Sequence, residues 1–415
     1  GGRMGKLAIN GGKKVVDKEN FWTSWPIINE DDRKTVLNVL KEKNLCRLYE
    51  GSWAERFEKE WASFCDTKYC IATSNGTVSL ELSLKALGIK PGDEIITTPI
   101  TFIATASSIS EVGAVPIFAD IDFNTGQIDA NSIEENITQN TKAVMGVHYG
   151  GYSFDIDEVK NVCKKHNLFL IEDCAHAHGT KWKEKHVGSW GDFGSFSFQA
   201  SKSLASGEGG AVITNDEKYY DKALTLHNIG RILGKPGYYH YYLSSNYRLA
   251  ELLAGLLLSQ LKKLPEQTKI KEENGKWLKK ELTSLGIEPL PEDKRITQRG
   301  YYYAVFKFNK EEFSGITRDR FLEIINAEGI PFGKAYGLPL YKNPAFTKEY
   351  LSEIYPENIL RKLPDYEKIH LEMAENFCEV QLTLLHTILL SPKSKLQKIV
   401  NAVKKIKDNI EEAKK

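Results

Sequence analysis

The 415-residue chain has only six cysteines, Cys46, Cys65, Cys70, Cys163, Cys174 and Cys378, and no two of them form a C-x-x-C pair. That pattern excludes a disulfide framework and a structural zinc site, and it is the pattern of a reduced, cytoplasmic protein. Long hydrophobic runs are missing too. The most apolar stretch, Leu249 to Leu261, is interrupted by Glu251; it is too short to span a bilayer and has the length of a buried helix. Nor does charge of one sign dominate. With 56 Lys and Arg against 55 Asp and Glu, the formal net charge is +1, which offers nucleic acid no basic surface. The lysine-rich end, Lys393 to Lys415, is broken by Asp408, Glu411 and Glu412 and reads as a solvated helix face. No repeat and no low-complexity segment is visible, and no signal peptide is expected. Gly1-Gly2-Arg3 ahead of Met4 reads as an expression remnant.

What is present is an alternation. Strand-like runs at Cys70–Thr73, Glu94–Thr97, Val115–Phe118, Ala143–Val147 and Leu168–Ile171 are separated by helical patterns, at steps of about 25 residues. The alternation predicts an α/β fold with a mostly parallel sheet and helices on both faces. Phe193–Phe198 and Ala211–Thr214 break the rhythm, as two strands flanking one loop. Ahead of the sheet, Asn29–Leu40 and Ser52–Phe64 read as helices, and Trp53, Phe57, Trp61 and Phe64 stand at core spacing on the second. Pro265 is the expected end of the large domain. The expected division is an N-terminal arm over residues 1–28, with Trp22 and Trp25 as exposed aromatics, a large α/β domain over 29–265, and a smaller α+β domain over 266–415.

In a parallel α/β sheet the ligand sits beyond the carboxyl ends of the strands. The chemistry-bearing residues of this chain fall there. Ser74-Asn75-Gly76-Thr77 turns from a strand into a helix and offers backbone N–H groups and a hydroxyl to a phosphate. The Leu168–Ile171 run leads to Glu172-Asp173, then Cys174-Ala175-His176-Ala177-His178-Gly179. In FSFQASKSLASGEGG, Phe196 to Gly210, Lys202 lies among small residues, and Ser197 on the adjoining strand adds a second hydroxyl. A lysine that can form an imine, an acid that can hold a ring nitrogen and a phosphate cradle together point to pyridoxal 5′-phosphate. Each residue taken singly has a plainer reading. Asp173 also suits a helix cap, Phe102 suits ring stacking and core packing equally, and Lys202 alone is one lysine among many. His176 is positioned for the ring hydroxyl or the substrate, whereas His178 reads as structural. The His-x-His pair lacks a third ligand at usable spacing, so no metal is expected.

At these residues the chain resembles the sugar aminotransferases of the DegT/DnrJ/StrS type. The resemblance rests on SNGTVSLELSLKALGI, IEDCAHAHG, FGSFSFQASKSLASGEGG and SSNYRLAELLAG, and it runs from about Leu7 to the final helices. It implies an aspartate-aminotransferase-like fold of type I, with a seven-stranded type of sheet, a homodimer with shared active sites, and glutamate or glutamine as donor. Carried over by residue, Lys202 is the imine-forming lysine and Asp173 the partner of the ring nitrogen. His176 lies over or beside the ring, Phe102 stacks on it, and Gly76, Thr77 and Ser197 bind phosphate. Asn246 reaches the phosphate from the neighbouring subunit. The family has a branch in which histidine replaces this lysine and sugars are dehydrated, so Lys202 favours transamination. LAINGGKKVV and AYGLPLYKNPAF look most like the branch acting on keto-cyclitols or making aminohydroxybenzoate, while relatives acting on nucleotide-linked keto-sugars share the core motifs. Tyr49, Arg231, His240, Tyr241 and Tyr336 are the candidate acceptor contacts. Two other readings stay open: a PLP-binding regulator without catalysis, and a decarboxylase or β-lyase on the same fold with Arg248 as carboxylate clamp.

Overall fold

The computed structural model describes residues 5–415; the remnant expected at Gly1-Gly2-Arg3 lies outside them. Seven strands form the central sheet in the order Tyr69–Thr73, Gly210–Thr214, Phe193–Ser197, Phe169–Asp173, Thr141–Val147, Glu94–Thr97, Val115–Phe118. Only Gly210–Thr214 runs against its neighbours, and it returns from the loop that holds Lys202. The other pairings across the sheet are parallel. The expected mostly parallel sheet is therefore present, and its break in rhythm is where the sequence placed it.

Local signals explain the helix starts. Asn29 caps the helix Glu30–Glu42 in a reciprocal capping box with Asp32, and Asn75 caps Gly76–Ala86 by accepting from Val78 N–H at 3.0 Å. The helix Trp53–Phe64 is capped by Ser52 and, from a distance, by buried Glu251, whose carboxylate accepts from Trp53 and Ala54 N–H. Its aromatic face is core, as the spacing implied. Trp61 meets Phe196 and Phe198 edge-on at 4.9 and 5.5 Å, so this helix buttresses the strand leading to Lys202.

A second sheet, Ile287–Pro289, Tyr303–Phe308 and Gln381–Leu385, is antiparallel. Against it pack the helices Arg318–Ala327 and Lys393–Asp408. The lysine-rich end is solvated on one face only, since Leu396, Ile399, Val400, Val403 and Ile406 are buried on the other. Pro265 stands in the first turn of the long helix Leu264–Thr283, a position that suits its fixed φ. The N-terminal segment joins the second core through Leu7 and Val16. Trp22 and Trp25, expected to be exposed, are half-buried; the Trp25 ring lies edge-on to His386 at 4.7 Å. Among the described residues no helix is long and apolar enough to cross a membrane.

Candidate active site

Beyond the carboxyl ends of the central strands lies a cavity of about 630 Å³. It is lined by Gly76 and Thr77 at a helix start, Asp173 and His176 after one strand, Ser197 and Lys202 around the next, and Phe102, Tyr302, Tyr303 and Tyr336. A groove of similar size, about 620 Å³ between the helices Glu30–Glu42, Trp53–Phe64 and Glu251–Leu261, has only exposed charges and no such constellation.

Lys202 points its Nζ over the Tyr302 ring, 4.4 Å from the centroid. Burial pulls its pKa down to about 8, against the opposing pull of the Asp173 carboxylate. Asp173 is 5% exposed. Burial raises its pKa, offset in part by Ala175 N–H to Oδ1 at 3.2 Å, Thr105 Oγ1 to Oδ2 at 2.9 Å and the nearby Lys202 charge. The helix-cap reading is thus replaced by a turn contact to Ala175, and Asp173 lines the cavity.

His176 has a defined tautomer. Gly150 N–H donates to its Nδ1 at 3.1 Å, so the ring proton sits on Nε2, which is 3.2 Å from Tyr336 Oη. Burial, then the nearby Lys202 charge, holds its pKa well below the usual value. The ring stacks on Tyr302 at 4.2 Å. His178 is structural: fully buried, it donates from Nε2 to the Ser197 carbonyl at 2.7 Å. Phe102 is 58% exposed, which removes the core-packing alternative.

The helix start and the strand end are pressed together. A Cβ on Gly76 would lie 2.6 Å from Ser197 Cβ, so the glycine is needed for this approach. Since Asn75 caps Val78, the first-turn N–H groups of Gly76 and Thr77 remain as donors for an anion. Anion donors, an amine with lowered pKa, a buried carboxylate short of donors and flat aromatic walls are the groups that pyridoxal phosphate requires. The residues fit it.

A family model described as the DegT/DnrJ/EryC1/StrS aminotransferase family matches residues 26–404. The chain belongs to this family. A relative from Micromonospora echinospora, a putative L-glutamine:3-amino-2,3-dideoxy-scyllo-inosose aminotransferase, is 35% identical over 423 residues, 98% of either chain. GDP-perosamine synthase of Vibrio cholerae is 37% identical over 299 residues, covering 71% of this aminotransferase and 80% of the relative. Among solved structures, 3-amino-5-hydroxybenzoic acid synthase superposes with a TM-score of 0.81 at 29% identity, over 92% of this chain and 97% of that one. These neighbours share the type I aminotransferase fold, and pyridoxal phosphate is a general feature of the family.

Of the candidate acceptor contacts, only Tyr336 reaches the cavity within one chain. Tyr49, His240 and Tyr241 are exposed and Arg231 half-buried, all away from it. Asn246 is exposed as well, with Oδ1 accepting from Arg248 N–H at 3.1 Å. Arg248 bonds Asn228 Oδ1 at 2.9 Å and does not line the cavity, which leaves the clamp of a lyase without support in this chain. Sequence reasoning missed Thr105, Tyr302 and Tyr303. The signal for the last two was the Tyr301-Tyr302-Tyr303 run, which reads only as a strand start.

The metal-ligand types nearest one another among the described residues, His148, Glu172 and Cys174, lie within 4.8 Å. Glu172 already accepts from His148 Nε2 and from the N–H groups of Gly188, Trp190 and Gly191. That makes the group a hydrogen-bonded brace beneath Asp173.

Proposed function

We propose that this aminotransferase uses pyridoxal phosphate to move an amino group from L-glutamine or L-glutamate to a keto-cyclitol, by ping-pong kinetics and as a homodimer. The observation that carries the reading is the Lys202 amine, its pKa lowered by burial, in one cavity with the buried Asp173 carboxylate. The acceptor class rests on the scyllo-inosose aminotransferase, which pairs with 98% of this chain where the GDP-perosamine synthase pairs with 71%. The tyrosine and threonine hydroxyls of the cavity suit a polyol.

Bound there, pyridoxal phosphate supplies an aldehyde carbon open to amines and a ring that accepts electron density. Gly76, Thr77 and Ser197 would bind its phosphate, and Asp173 would hold a proton on the ring nitrogen. His176 and Phe102 would flank the ring. Lys202 would hold the group through its amine, and its Nζ would take and return a proton during the transfer. The walls of Tyr302, Tyr303 and Tyr336 orient the acceptor.

Among the described residues no arginine lines the cavity, yet the donor has a carboxylate to neutralise. Arg231 lies in the 229–243 loop, whose Tyr238 is 81% exposed and Leu243 completely so. A second copy covers that apolar loop and brings Arg231, Asn246, Tyr49, His240 and Tyr241 to the site. Six free thiols, five of them buried, suit a reducing cytoplasm.

The test is an absorbance scan of purified protein with pyridoxal phosphate, before and after L-glutamine or L-glutamate, for wild type and Lys202→Ala. The expected result is a visible imine band that donor converts toward the near-ultraviolet, restored by a keto-cyclitol and absent in the variant. A bound cofactor that no donor converts refutes transamination in favour of a regulator or lyase. Restoration by nucleotide-linked keto-sugars alone refutes the acceptor class.

A further inference from the structure

Ser201 and Ser203 flank Lys202, and each is held from behind by a buried nitrogen base. His386 donates from Nε2 to the Ser201 carbonyl at 2.8 Å, and Lys271 donates from Nζ to Ser203 Oγ at 3.1 Å. Ser201 Oγ also meets Tyr302 Oη at 2.9 Å, and the Tyr302 ring lies under the Lys202 amine. His386 and Lys271 are 0% and 1% exposed and do not line the cavity.

Lys271 is the unexpected residue of the pair. Its only hydrogen-bond partner among the described residues is Ser203, and burial pulls its pKa down to about 7. An amine sealed in with one hydroxyl is destabilising, and a methionine fills the same space without that penalty. What the amine contributes is its bond to the residue next to Lys202. The three anchors lie 68, 101 and 185 residues away from the serines they hold, so local sequence does not set the pose of the loop.

We propose that Lys271 and His386 are positioning residues for Lys202, which pin the residues on either side of it, Ser203 by its hydroxyl and Ser201 by its carbonyl, and so hold its amine inside the cavity. The inference rests on the role given to Lys202 above. It is tested on cofactor-free protein by amine-selective modification across pH, with mass spectrometry following the Lys202 peptide, and by the rate of pyridoxal phosphate capture. The variants are Lys271→Met, Ser203→Ala, their double, His386→Leu and His386→Gln. Loosening the loop exposes the amine to water, so in Lys271→Met and Ser203→Ala the Lys202 titration midpoint is expected to rise from about 8 toward the ordinary 10.5. Capture near neutral pH is expected to slow about fivefold, the effect of one lost hydrogen bond. The double variant is expected to match either single, because both remove one interaction. His386→Gln, which keeps an N–H donor, retains the wild-type midpoint that His386→Leu loses. Wild-type profiles in Ser203→Ala and Lys271→Met, or additive effects in the double, overturn the clamp; if Lys271→Met does not fold, Ser203→Ala alone decides. Wild-type protein that fails to capture pyridoxal phosphate at Lys202 instead refutes the proposed function.

Discussion

At Lys202 the surroundings do the tuning. Desolvation brings the pKa to about 8, so roughly a tenth of the amine is neutral at pH 7 and roughly nine-tenths at pH 9. Capture of pyridoxal phosphate by cofactor-free protein is therefore expected to speed up about tenfold across that range, as stopped-flow absorbance checks. Gly76→Ala is expected to weaken cofactor binding by about tenfold or more, because a methyl 2.6 Å from Ser197 Cβ forces the helix start off the strand. Equilibrium dialysis measures it, and circular dichroism checks that the fold survives. Lys271 gives a stability signature. Below about pH 7 both folded and unfolded chains hold its proton; between there and the ordinary 10.5 only the unfolded chain does. Wild-type stability thus rises with pH in that window, by roughly 1 kcal/mol per unit from this group, and Lys271→Met removes that slope in urea titrations at several pH values. Lys202 and Asp173 were legible in the sequence because each follows a recognisable strand. Tyr302 was not, because it stands just before a strand of the second sheet and meets Lys202 only through tertiary packing. Lys271 was not, because in a polar helix it reads as one more solvated lysine.

The elements were the most legible level. Strands at 94–97 and 115–118 fall on the boundaries that hydrophobic pattern and turn residues implied. Less legible was how the sheet is finished. Val115–Phe118 is an edge strand, and an edge presents unpaired carbonyls. Two tyrosines from the segment beyond Tyr336 cover it: Tyr355 Oη donates to Ala114 O at 2.8 Å and Tyr366 Oη to Pro116 O at 2.6 Å. No local pattern reveals such pairs, since hydroxyl and acceptor are 241 and 250 residues apart. Both tyrosines are buried, so Tyr366→Phe leaves a buried carbonyl without its donor. The expected loss is about 1–3 kcal/mol by urea denaturation, with pyridoxal phosphate binding unchanged.

For the whole molecule, the exposed apolar loop of residues 229–243 is the surface proposed above to meet a second copy. Leu243→Glu is expected to yield monomers by sedimentation and to lose transamination while Lys202 still captures cofactor; a fully active monomer refutes the shared site. Another whole-chain contact closes the second core. Buried Glu328 accepts from Ala8 and Val15 N–H and pairs with Lys405 Nζ at 2.8 Å, and Lys405 also bonds the Lys13 carbonyl. Lys405→Met leaves the carboxylate buried and unpaired, which costs about 3–5 kcal/mol. Differential scanning calorimetry and early protease cuts within residues 5–25 are the expected signs.

That clamp also sets an order of events on the ribosome. Ala8 precedes its partner Glu328 by 320 residues, a delay of roughly 16 to 64 s at bacterial or eukaryotic elongation rates. The segment around Ala8, made before the central sheet, is thus among the last to dock. Nascent chains stalled before Lys405 are expected to have this segment open to chaperones and proteases even where the central sheet has already formed.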